Sequence, residues 1–380
     1  MVAADPGRVG RADGLTLVVL GGGPAQRHAI EAAHRLGATT VICDSDPSRG
    51  DVAVSSEDAD GVLVVARERS ADGLIAPGTD WPVRVAAAVA AELGLPHPIS
   101  PEVAELCTDK VAQRSALEAA GVGQPDWSLT EPPGYPCVVK VGDRQGQRAM
   151  TVLQSADGLP AARARAREAS RGGQVLYERF VPGPEVTVNG FAVDGRHHPV
   201  AVTDRVHFDD APGVARRHVH PSTADAHAAA EAATAAVKAL GIESGPTYTQ
   251  LIMGEDGPAV MEVAARLGGG HDSELVLQAT GVDLAAAAVR AALGIPVDEG
   301  DLTPTRNQAC VVEFLQAPAG VLRKAAGPPG VTFYHAPGHR YGPLAIATDR
   351  AGYVIAGGHS RAEALEQAAE AIRSVVFEVT

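Results

Sequence analysis

Paired cysteines, long apolar runs and an excess of positive charge are all missing from this 380-residue chain. Its four cysteines lie far apart in sequence, which indicates reduced buried thiols and no zinc or redox pair: Cys43, Cys107, Cys137 and Cys310. No stretch approaches about 18 uninterrupted apolar residues, so no membrane span is predicted. The formal charge of −14 makes nucleic acid and anionic membranes poor partners, although one cationic pocket would suffice for a small anionic ligand.

The first 14 residues, "MVAADPGRVGRADG", are polar and lack the apolar core of a signal peptide. We expect them to form a frayed, disordered leader. The cytoplasm then follows as the default location.

The length favours two to four domains, and strand and helix patterns alternate over about residues 15–106. "LTLVVLGGG" predicts a buried strand that runs into a glycine turn, and "DGVLVV" and "DGLIAPG" continue the alternation. This pattern is typical of an α/β, Rossmann-like domain with a parallel sheet.

A second, α+β domain is predicted over residues 107–298, with a lid subdomain at about 125–182. It begins with a helix that Thr108 can cap, which places Lys110 in the first helical turn. The Pro- and acid-rich segment "PVDEGDLTPT" then leads to a strand-rich C-terminal α+β domain, residues 305–380. This domain ends in a helix that Ser360 and Glu363 open as a capping box.

The first glycine cluster, Gly21–Gly23, is compatible with a dinucleotide site. It follows a strand, and Asp44 ends the next strand, about where a ribose-binding acid would lie. However, Gln26 stands where the third glycine of that motif belongs. A glycine turn that binds no dinucleotide is the favoured interpretation.

Two lysines have positions that suit polyphosphate. Lys110 begins a helix, and Lys140 ends a strand just before the glycine-containing loop "GDRQGQRA". Ammonium groups on separate elements, together with loop N–H groups, can bind phosphates. Taken singly, either lysine could also be a solvated surface charge.

The segment "YERFVPGPE" places Glu178 and Glu185 on the two sides of an apolar hinge. A carboxylate there can accept hydrogen bonds from ribose hydroxyls, and the hinge backbone can bind the edge of adenine. The alternative is that both glutamates are charges at strand edges.

A carboxylate also interrupts the apolar stretch "GPAVMEVAARLGGG", where Glu262 precedes Arg266 by four residues. Gln250 lies on the preceding strand, and a hairpin would point both side chains to one face. Such an oxygen-rich pair suits Mg²⁺, which together with Arg266 would let Glu262 stay ionised. The alternative is an ion pair between Glu262 and Arg266 without a metal.

In this order, these motifs resemble the ATP-grasp superfamily over about residues 15–300, and its carboxylate-amine ligase (L-amino acid ligase-like) branch in particular. The C-terminal run "GHRYGPLAIATDRAGYVIAGGHSRAEAL" is similar to the last domain of that branch. The resemblance implies ATP and Mg²⁺ as cofactors. It also implies an ADP-forming ligase that joins a small carboxylate to an amine through an acyl phosphate.

The same resemblance assigns a role to each motif residue. Lys110 and Lys140 would hold the α- and β-phosphates. Gly142 and Gly146 would belong to a flap over them, the backbone of Arg179, Phe180 and Val181 would bind adenine, and Glu185 would bind the ribose. Glu262 and Gln250 would ligate Mg²⁺, and Arg266 would steady the γ-phosphate and the acyl phosphate, with Lys140 neutralising developing charge beside it.

The substrate pocket would be lined by the polar segment with Arg205, His207, His218 and His220, together with "GGGHDSE", which contains Gly269 and His271. These histidines could equally be exposed loop residues.

Two positions depart from the usual ATP-grasp pattern. Gln250 stands where a carboxylate is common, and Ala264 stands where many members have Asn. Both changes leave the number of Mg²⁺ ions open.

Three other functions stay open. A bicarbonate-using ATP-grasp carboxylase would share the ATP site, a dinucleotide oxidoreductase would use the first glycine turn, and a non-catalytic protein would bind nucleotide without turnover. Small-molecule substrates and a homodimer are expected in the favoured case.

Overall fold

A computed structural model describes residues 11–143 and 149–380 of the chain. Its N-terminal unit contains a parallel sheet in the order β2-β1-β3. The elements of this unit are β1 (Thr16–Leu20), α1 (Arg27–Leu36), β2 (Thr39–Cys43), α2 (Ala59–Glu68), β3 (Gly73–Ile75), α3 (Trp81–Leu93) and α4 (Pro101–Leu106). "DGVLVV" lies within α2 and "DGLIAPG" contains β3, so the predicted alternation is confirmed.

The following segment forms a small antiparallel sheet in the order β4-β7-β5-β6, with one helix packed against it. Its elements are α5 (Lys110–Ala119), β4 (Trp127–Ser128), β5 (Cys137–Val141), β6 (Thr151–Leu153), α6 (Leu159–Ala169) and β7 (Val175–Arg179). The predicted cap of α5 is wrong by one residue. Asp109 accepts hydrogen bonds from the first-turn N–H groups, whereas the Thr108 hydroxyl donates back to carbonyls of the preceding turn.

An antiparallel sheet of eight strands forms the centre of the molecule, in the order β12-β11-β8-β9-β10-β13-β17-β15. The remaining elements are β8 (Glu185–Val193), β9 (Arg196–Phe208), β10 (Ala211–His220), α7 (Ala226–Ala239), β11 (Gly245–Gly254), β12 (Gly257–Ala264), α8 (Asp272–Thr280), α9 (Leu284–Ala292), β13 (Ala309–Leu315), β14 (Gly320–Ala326), β15 (Val331–Phe333), β16 (Arg340–Tyr341), β17 (Gly352–Gly358), α10 (Arg361–Arg373) and β18 (Val376–Val379). The histidine-rich stretch around 203–223 is therefore mostly a strand pair, β9 and β10, and not a loop.

The C-terminal part extends this central sheet, because β13 pairs antiparallel with β10. Ser360 caps α10 by accepting from the N–H of Glu363, as predicted. The chain does not end in that helix, however. Residues 376–379 continue as β18, which pairs with β14.

The N-terminal unit and the central sheet share a hydrophobic core. One cluster of buried side chains includes Val85 of α3, Ala236 of α7 and Leu251 of β11. A glycine allows a second close approach, because a Cβ at Gly269 would lie 2.5 Å from the Gly78 carbonyl oxygen. These contacts bring the turn after β3 next to the end of β12.

Within the described ranges, no single helix is long and apolar enough to cross a membrane. Helices α8 and α9 taken together pass by length and composition, but they are bent by 119° at the break between them.

Candidate functional site

The carboxylate of Glu262 lies among three cationic side chains that come from different elements. Lys110 is the first residue of α5, Lys140 lies in β5 and Arg266 follows β12. The Lys110 Nζ is 2.9 Å from Glu262 Oε1. Burial opposes the charge of Glu262, but Lys110, and then Lys140 and Arg266, hold the pKa of its carboxyl below the ordinary value. The carboxylate is therefore ionised inside the protein.

The alternative of a direct ion pair between Glu262 and Arg266 is not the arrangement found, although the charge of Arg266 does act on Glu262. Arg266 instead binds Asp80, with its Nε 2.6 Å from Asp80 Oδ1. Asp80 directly precedes α3 of the N-terminal unit, so this ion pair ties that unit to the end of β12. Sequence spacing pointed to a partner four residues away, whereas the fold supplies one that is 186 positions distant.

Glu178 is completely buried between two cations. Its Oε1 accepts from Arg114 Nε at 2.7 Å, and its Oε2 lies 2.8 Å from Lys140 Nζ. Burial alone would favour the protonated acid, but Arg114 and Lys140 lower the pKa of Glu178 to about 2. Glu178 is thus not a charge at a strand edge. Its carboxylate is shielded from solvent and holds the ammonium group of Lys140 in place.

Arg114 was not singled out from the sequence, although it organises this region. Its guanidinium also donates to the carbonyls of Val260 and Met261, at 2.9 and 2.7 Å. The neighbouring Gln113 side chain bonds both the N–H and the C=O of Val263. Helix α5 therefore holds β12 on both sides of Glu262. The only sequence signal is that both residues follow Lys110 by three and four positions, on one helical face.

The predicted hairpin of β11 and β12 is confirmed, and Gln250 is the direct cross-strand partner of Glu262. The Gln250 amide donates to Glu185 on the neighbouring strand β8. Glu185 also accepts from Arg205 at 2.6 Å and lies 2.7 Å from His207 Nε2. Burial opposes its charge, but these partners lower the pKa of Glu185 to about 2.

Some backbone N–H groups of the hinge between β7 and β8 already donate hydrogen bonds to other parts of the protein. The N–H of Arg179 donates to Asp126 O at 2.8 Å, and that of Phe180 donates to Pro136 O at 2.9 Å. Adenine recognition would therefore fall to other backbone groups of the segment ending at Val181. Gly142 accepts from the backbone N–H of Lys110 at 2.9 Å, and the predicted flap residue Gly146 lies outside the described residues.

Two predicted substrate histidines are buried and are not exposed loop residues. His218 Nδ1 lies 3.0 Å from Asp272 Oδ1, and both side chains are at most 3% exposed. His271 is held by Glu274 Oε1 at 2.8 Å on Nδ1 and by Tyr334 Oη at 2.7 Å on Nε2. Glycine again permits a close approach, because a Cβ at Gly270 would lie 2.5 Å from His218 Cε1.

The C-terminal part contributes side chains that the sequence did not indicate. The Tyr353 ring stacks on His271 with centroids 3.5 Å apart, and the Arg350 guanidinium lies over the Phe314 ring at 3.6 Å. These contacts depend on β13 and β17 joining the central sheet, which sequence spacing does not reveal.

The polar groups around the first glycine turn, Gly21–Gly23, are hydrogen-bonded to other groups of the protein. The Asp44 carboxylate accepts from the N–H groups of Gly22 and Asp46, and Gln26 donates to Pro77 O. A Cβ at Gly22 would lie 1.9 Å from the Arg49 carbonyl oxygen. This arrangement favours a structural turn over a dinucleotide site.

Comparison with known proteins agrees with the fold and the motif order. Residues 124–300 match the family described as the carbamoyl-phosphate synthase L chain, ATP binding domain, and residues 314–380 match the L-amino acid ligase C-terminal domain 2. The predicted resemblance to the ATP-grasp superfamily is thereby confirmed.

Solved ATP-grasp structures of similar fold include the L-amino acid ligase from Bacillus licheniformis, with a TM-score of 0.83 and 21% identity over 97% of this chain and 99% of that one. The biotin carboxylase domain dimer of the Hydrogenobacter thermophilus 2-oxoglutarate carboxylase, solved with MgADP and bicarbonate, has a TM-score of 0.78 and 19% identity over 96% and 90%. At these identities the likeness concerns the fold.

Two curated relatives match part of the chain. The uncharacterized protein y4rH of Sinorhizobium fredii is 29% identical over 75% of this chain, and a D-alanine–D-alanine ligase of a Synechococcus species is 26% identical over 50%. The matches span 64% and 61% of the lengths of these relatives.

Proposed function

We propose that this ATP-grasp protein is an ATP-dependent, ADP-forming ligase that joins a small carboxylate to an amine through an acyl phosphate. The observation that carries the proposal is the placement of Lys110, Lys140 and Arg266 around the ionised Glu262. Three cations in one partly buried place suit a polyphosphate and a charged transition state. The C-terminal match to L-amino acid ligases supports the ligase branch.

The nucleotide would lie between the small antiparallel sheet and β11–β12. Lys110 and Lys140 would bind its phosphates, with Gly142 and Gly146 in the flap over them. The backbone around Arg179, Phe180 and Val181 would bind adenine. Glu185 would accept from the ribose hydroxyls, because Arg205 and His207 keep it ionised and fix its direction.

Glu262 and Gln250 fit a divalent cation that takes its remaining ligands from phosphate oxygens. Glu262 supplies a carboxylate and Gln250 supplies an amide from the facing strand. The described residues contain no group of three or more His, Cys, Asp or Glu that could hold a metal by themselves, so the other ligands would have to come from the nucleotide and water. Mg²⁺ commonly takes one or two protein ligands and completes its shell with phosphate oxygens and water. Mg²⁺ would there neutralise phosphate charge that Lys110, Lys140 and Arg266 neutralise only in part.

The chain's own groups account for positioning and charge neutralisation. A substrate carboxylate would attack the γ-phosphate of ATP, with ADP leaving, and Lys140 and Arg266 would stabilise the charge that develops on the transferred group. An amine would then attack the acyl carbon and expel phosphate. Asp80 fixes Arg266, and the buried side chains of His218 and His271 would help to keep water from the acyl phosphate.

A screen of paired L-amino acids tests the proposal. ADP and phosphate should form only when an acid and an amine are both present, and the product mass should equal that of the two substrates minus one water. ADP release without any condensed product across the panel would contradict a ligase.

A carboxylase is the second candidate, since the fold is shared with a biotin carboxylase domain solved with bicarbonate. ADP formation that depends on bicarbonate and not on an amine would select it. That domain is described as a dimer, and we likewise propose a homodimer here, which light scattering of the purified protein would test.

A further inference from the structure

An arginine of the small antiparallel sheet lies against the N-terminal unit. Arg171 belongs to the loop between α6 and β7. Its Nη2 is 2.6 Å from Glu57 Oε2 in the segment before α2, and its Cζ lies 3.9 Å from the centre of the Trp81 ring at the start of α3. One side chain thus contacts two separate elements of the N-terminal unit, through an ion pair and a cation–π contact. We call this contact of Arg171 with Glu57 and Trp81 the latch.

The N-terminal unit holds its own side of the latch in place. The Cζ of Arg84, which follows Trp81 by three positions in α3, lies 4.7 Å from the centre of the same ring. Arg84 Nη2 is in turn 2.7 Å from Glu105 Oε1 of α4. These contacts restrict the orientation of the ring that receives Arg171.

The loop that carries the arginine of the latch is tied to the end of β5. Asp143 Oδ2 accepts hydrogen bonds from Ser170 Oγ at 3.0 Å and from the Gly172 N–H at 2.7 Å. Asp143 directly follows Gly142, whose carbonyl accepts from the backbone N–H of Lys110 at 2.9 Å. The latch is therefore connected, through short hydrogen bonds, to the backbone of a lysine proposed to bind phosphate.

The other side of the latch adjoins a second cation of the proposed site. Trp81 directly follows Asp80, whose carboxylate accepts from Arg266 Nε at 2.6 Å. The latch thus lies between the loop that is tied to Lys110 and the helix start that fixes Arg266. A change in the latch would alter how these two cations are placed relative to each other.

We propose that Arg171 is a positioning residue that holds the small antiparallel sheet closed on the N-terminal unit and thereby raises the affinity for nucleotide. The inference rests on the nucleotide site proposed above, between this sheet and β11–β12. Arg171, Glu57 and Trp81 are not among the groups proposed to touch the nucleotide. They act instead on the fraction of molecules in which Lys140 of the sheet is in place, and apparent affinity scales with that fraction. The same contact should slow the release of ADP.

Calorimetry with MgADP and steady-state kinetics with ATP test the proposal in wild type, Arg171→Ala and Arg171→Lys. We expect Arg171→Ala to raise the Kd of MgADP and the KM of ATP about 3- to 30-fold, since one exposed ion pair and one cation–π contact are lost. The kcat should not fall, because the phosphate-binding groups are intact. Arg171→Lys should recover part of the affinity, because it keeps the charge but loses the planar group. Arg167→Ala, at an exposed position on α6, is the matched control and should keep wild-type values.

Glu57 provides an independent check on the same contact. Glu57→Gln should weaken MgADP binding less than Arg171→Ala does, and the double variant should be no weaker than Arg171→Ala alone. The defect of Glu57→Gln relative to wild type should shrink as salt is added, because salt screens an exposed ion pair. Fully additive losses would show that the two residues do not act through one latch and would contradict the proposal.

A distance measurement separates the latch from the ligase function. All four native cysteines are buried, so nitroxide labels can be attached at Glu168→Cys on α6 and Glu92→Cys on α3, both exposed positions. Without added nucleotide, Arg171→Ala should broaden the distance distribution between the labels towards longer values, and Arg167→Ala should not.

The two proposals then fail in different ways. A wild type that binds no nucleotide would contradict the proposed function, and the label distances would still decide whether Arg171 closes the sheet. Equal distance distributions in wild type and Arg171→Ala would overturn the latch. So would equal MgADP affinities in the two proteins, or a fall in kcat with unchanged affinity.

Discussion

Lys110 and Glu262 are 152 positions apart in sequence, and their side chains meet with Nζ 2.9 Å from Oε1. The pair explains how a carboxylate can interrupt the apolar strand β12, because the lysine neutralises it. The same ion pair holds the first residue of α5 against the centre of β12 in the ligand-free protein. The proposed phosphate-binding cation and the proposed metal ligand are thus one electrostatic unit.

Replacement of Glu262 by Gln should therefore affect folding as well as activity. Lys110 would lose the carboxylate that lies 2.9 Å away, and we expect the free energy of unfolding to fall by roughly 1–3 kcal/mol, since the amide can still accept a hydrogen bond and Asp80 and Glu178 also act on Lys110. Urea denaturation measures this change, and ADP formation should nearly vanish. Glu378→Gln is the matched control, because it breaks an exposed pair with Lys324 and should change stability by less than about 1 kcal/mol. Wild-type activity in Glu262→Gln would remove Glu262 from the site.

Lys140→Ala should reduce ADP formation about 10- to 150-fold, the equivalent of roughly 1.5–3 kcal/mol for one charge-assisted contact. The chain should still fold, because Arg114 continues to neutralise Glu178. Steady-state kinetics at varied ATP concentration would show the loss, and circular dichroism would confirm the fold. Lys324→Ala on the exposed strand β14 serves as control. Equal rates in the two variants would exclude Lys140 from phosphate binding.

Gln250→Glu would place a third carboxylate beside Glu185 and Glu262. Without Mg²⁺ the variant should melt at a lower temperature than wild type, because like charges repel in a partly buried place. Added Mg²⁺ should then raise the melting temperature more in the variant than in wild type. Gln308→Glu, at an exposed position, controls for the added charge. An unchanged response to Mg²⁺ would mean that position 250 does not face the cation.

Acid should destabilise the protein partly through Glu185. Its pKa is about 2 in the folded protein and ordinarily 4.5, so the unfolded chain binds the proton first as pH falls. The stabilisation is complete above pH 4.5 and is lost as pH falls towards 2. Between these values the unfolding free energy of wild type should decline more steeply than that of Glu185→Gln, by up to about 1.4 kcal/mol per pH unit. Glu366→Gln, which is exposed, should keep the wild-type slope. Parallel slopes for wild type and Glu185→Gln would contradict the depressed pKa.

Local patterns predicted much of the scaffold. The hairpin that pairs Gln250 with Glu262 followed from two apolar strands that are neighbours in sequence, and Lys110 was correctly placed in the first turn of a helix. Such features depend on neighbours in sequence, and the residue types alone encode them.

Ion-pair partners could not be predicted in the same way. Asp80 belongs to the N-terminal unit and Arg114 lies inside a helix, and each meets its partner only after distant elements pack together. A direct ion pair between Glu262 and Arg266 does not form, because a spacing of four residues brings side chains together on a helix, whereas Glu262 lies in a strand.

The continuity of the central sheet limits how this chain can be divided. The L-amino acid ligase family match begins at residue 314, which lies inside β13 (Ala309–Leu315), and β13 covers the edge of β10. A chimera joined at that boundary would split a strand between two parents. A truncation before β13 would leave the backbone of β10 unpaired along Arg217–His220, and an unpaired strand edge is a known route to aggregation. An exchangeable segment would therefore have to begin before residue 309, so that recombination between relatives would transfer β13 intact together with the rest of the C-terminal part.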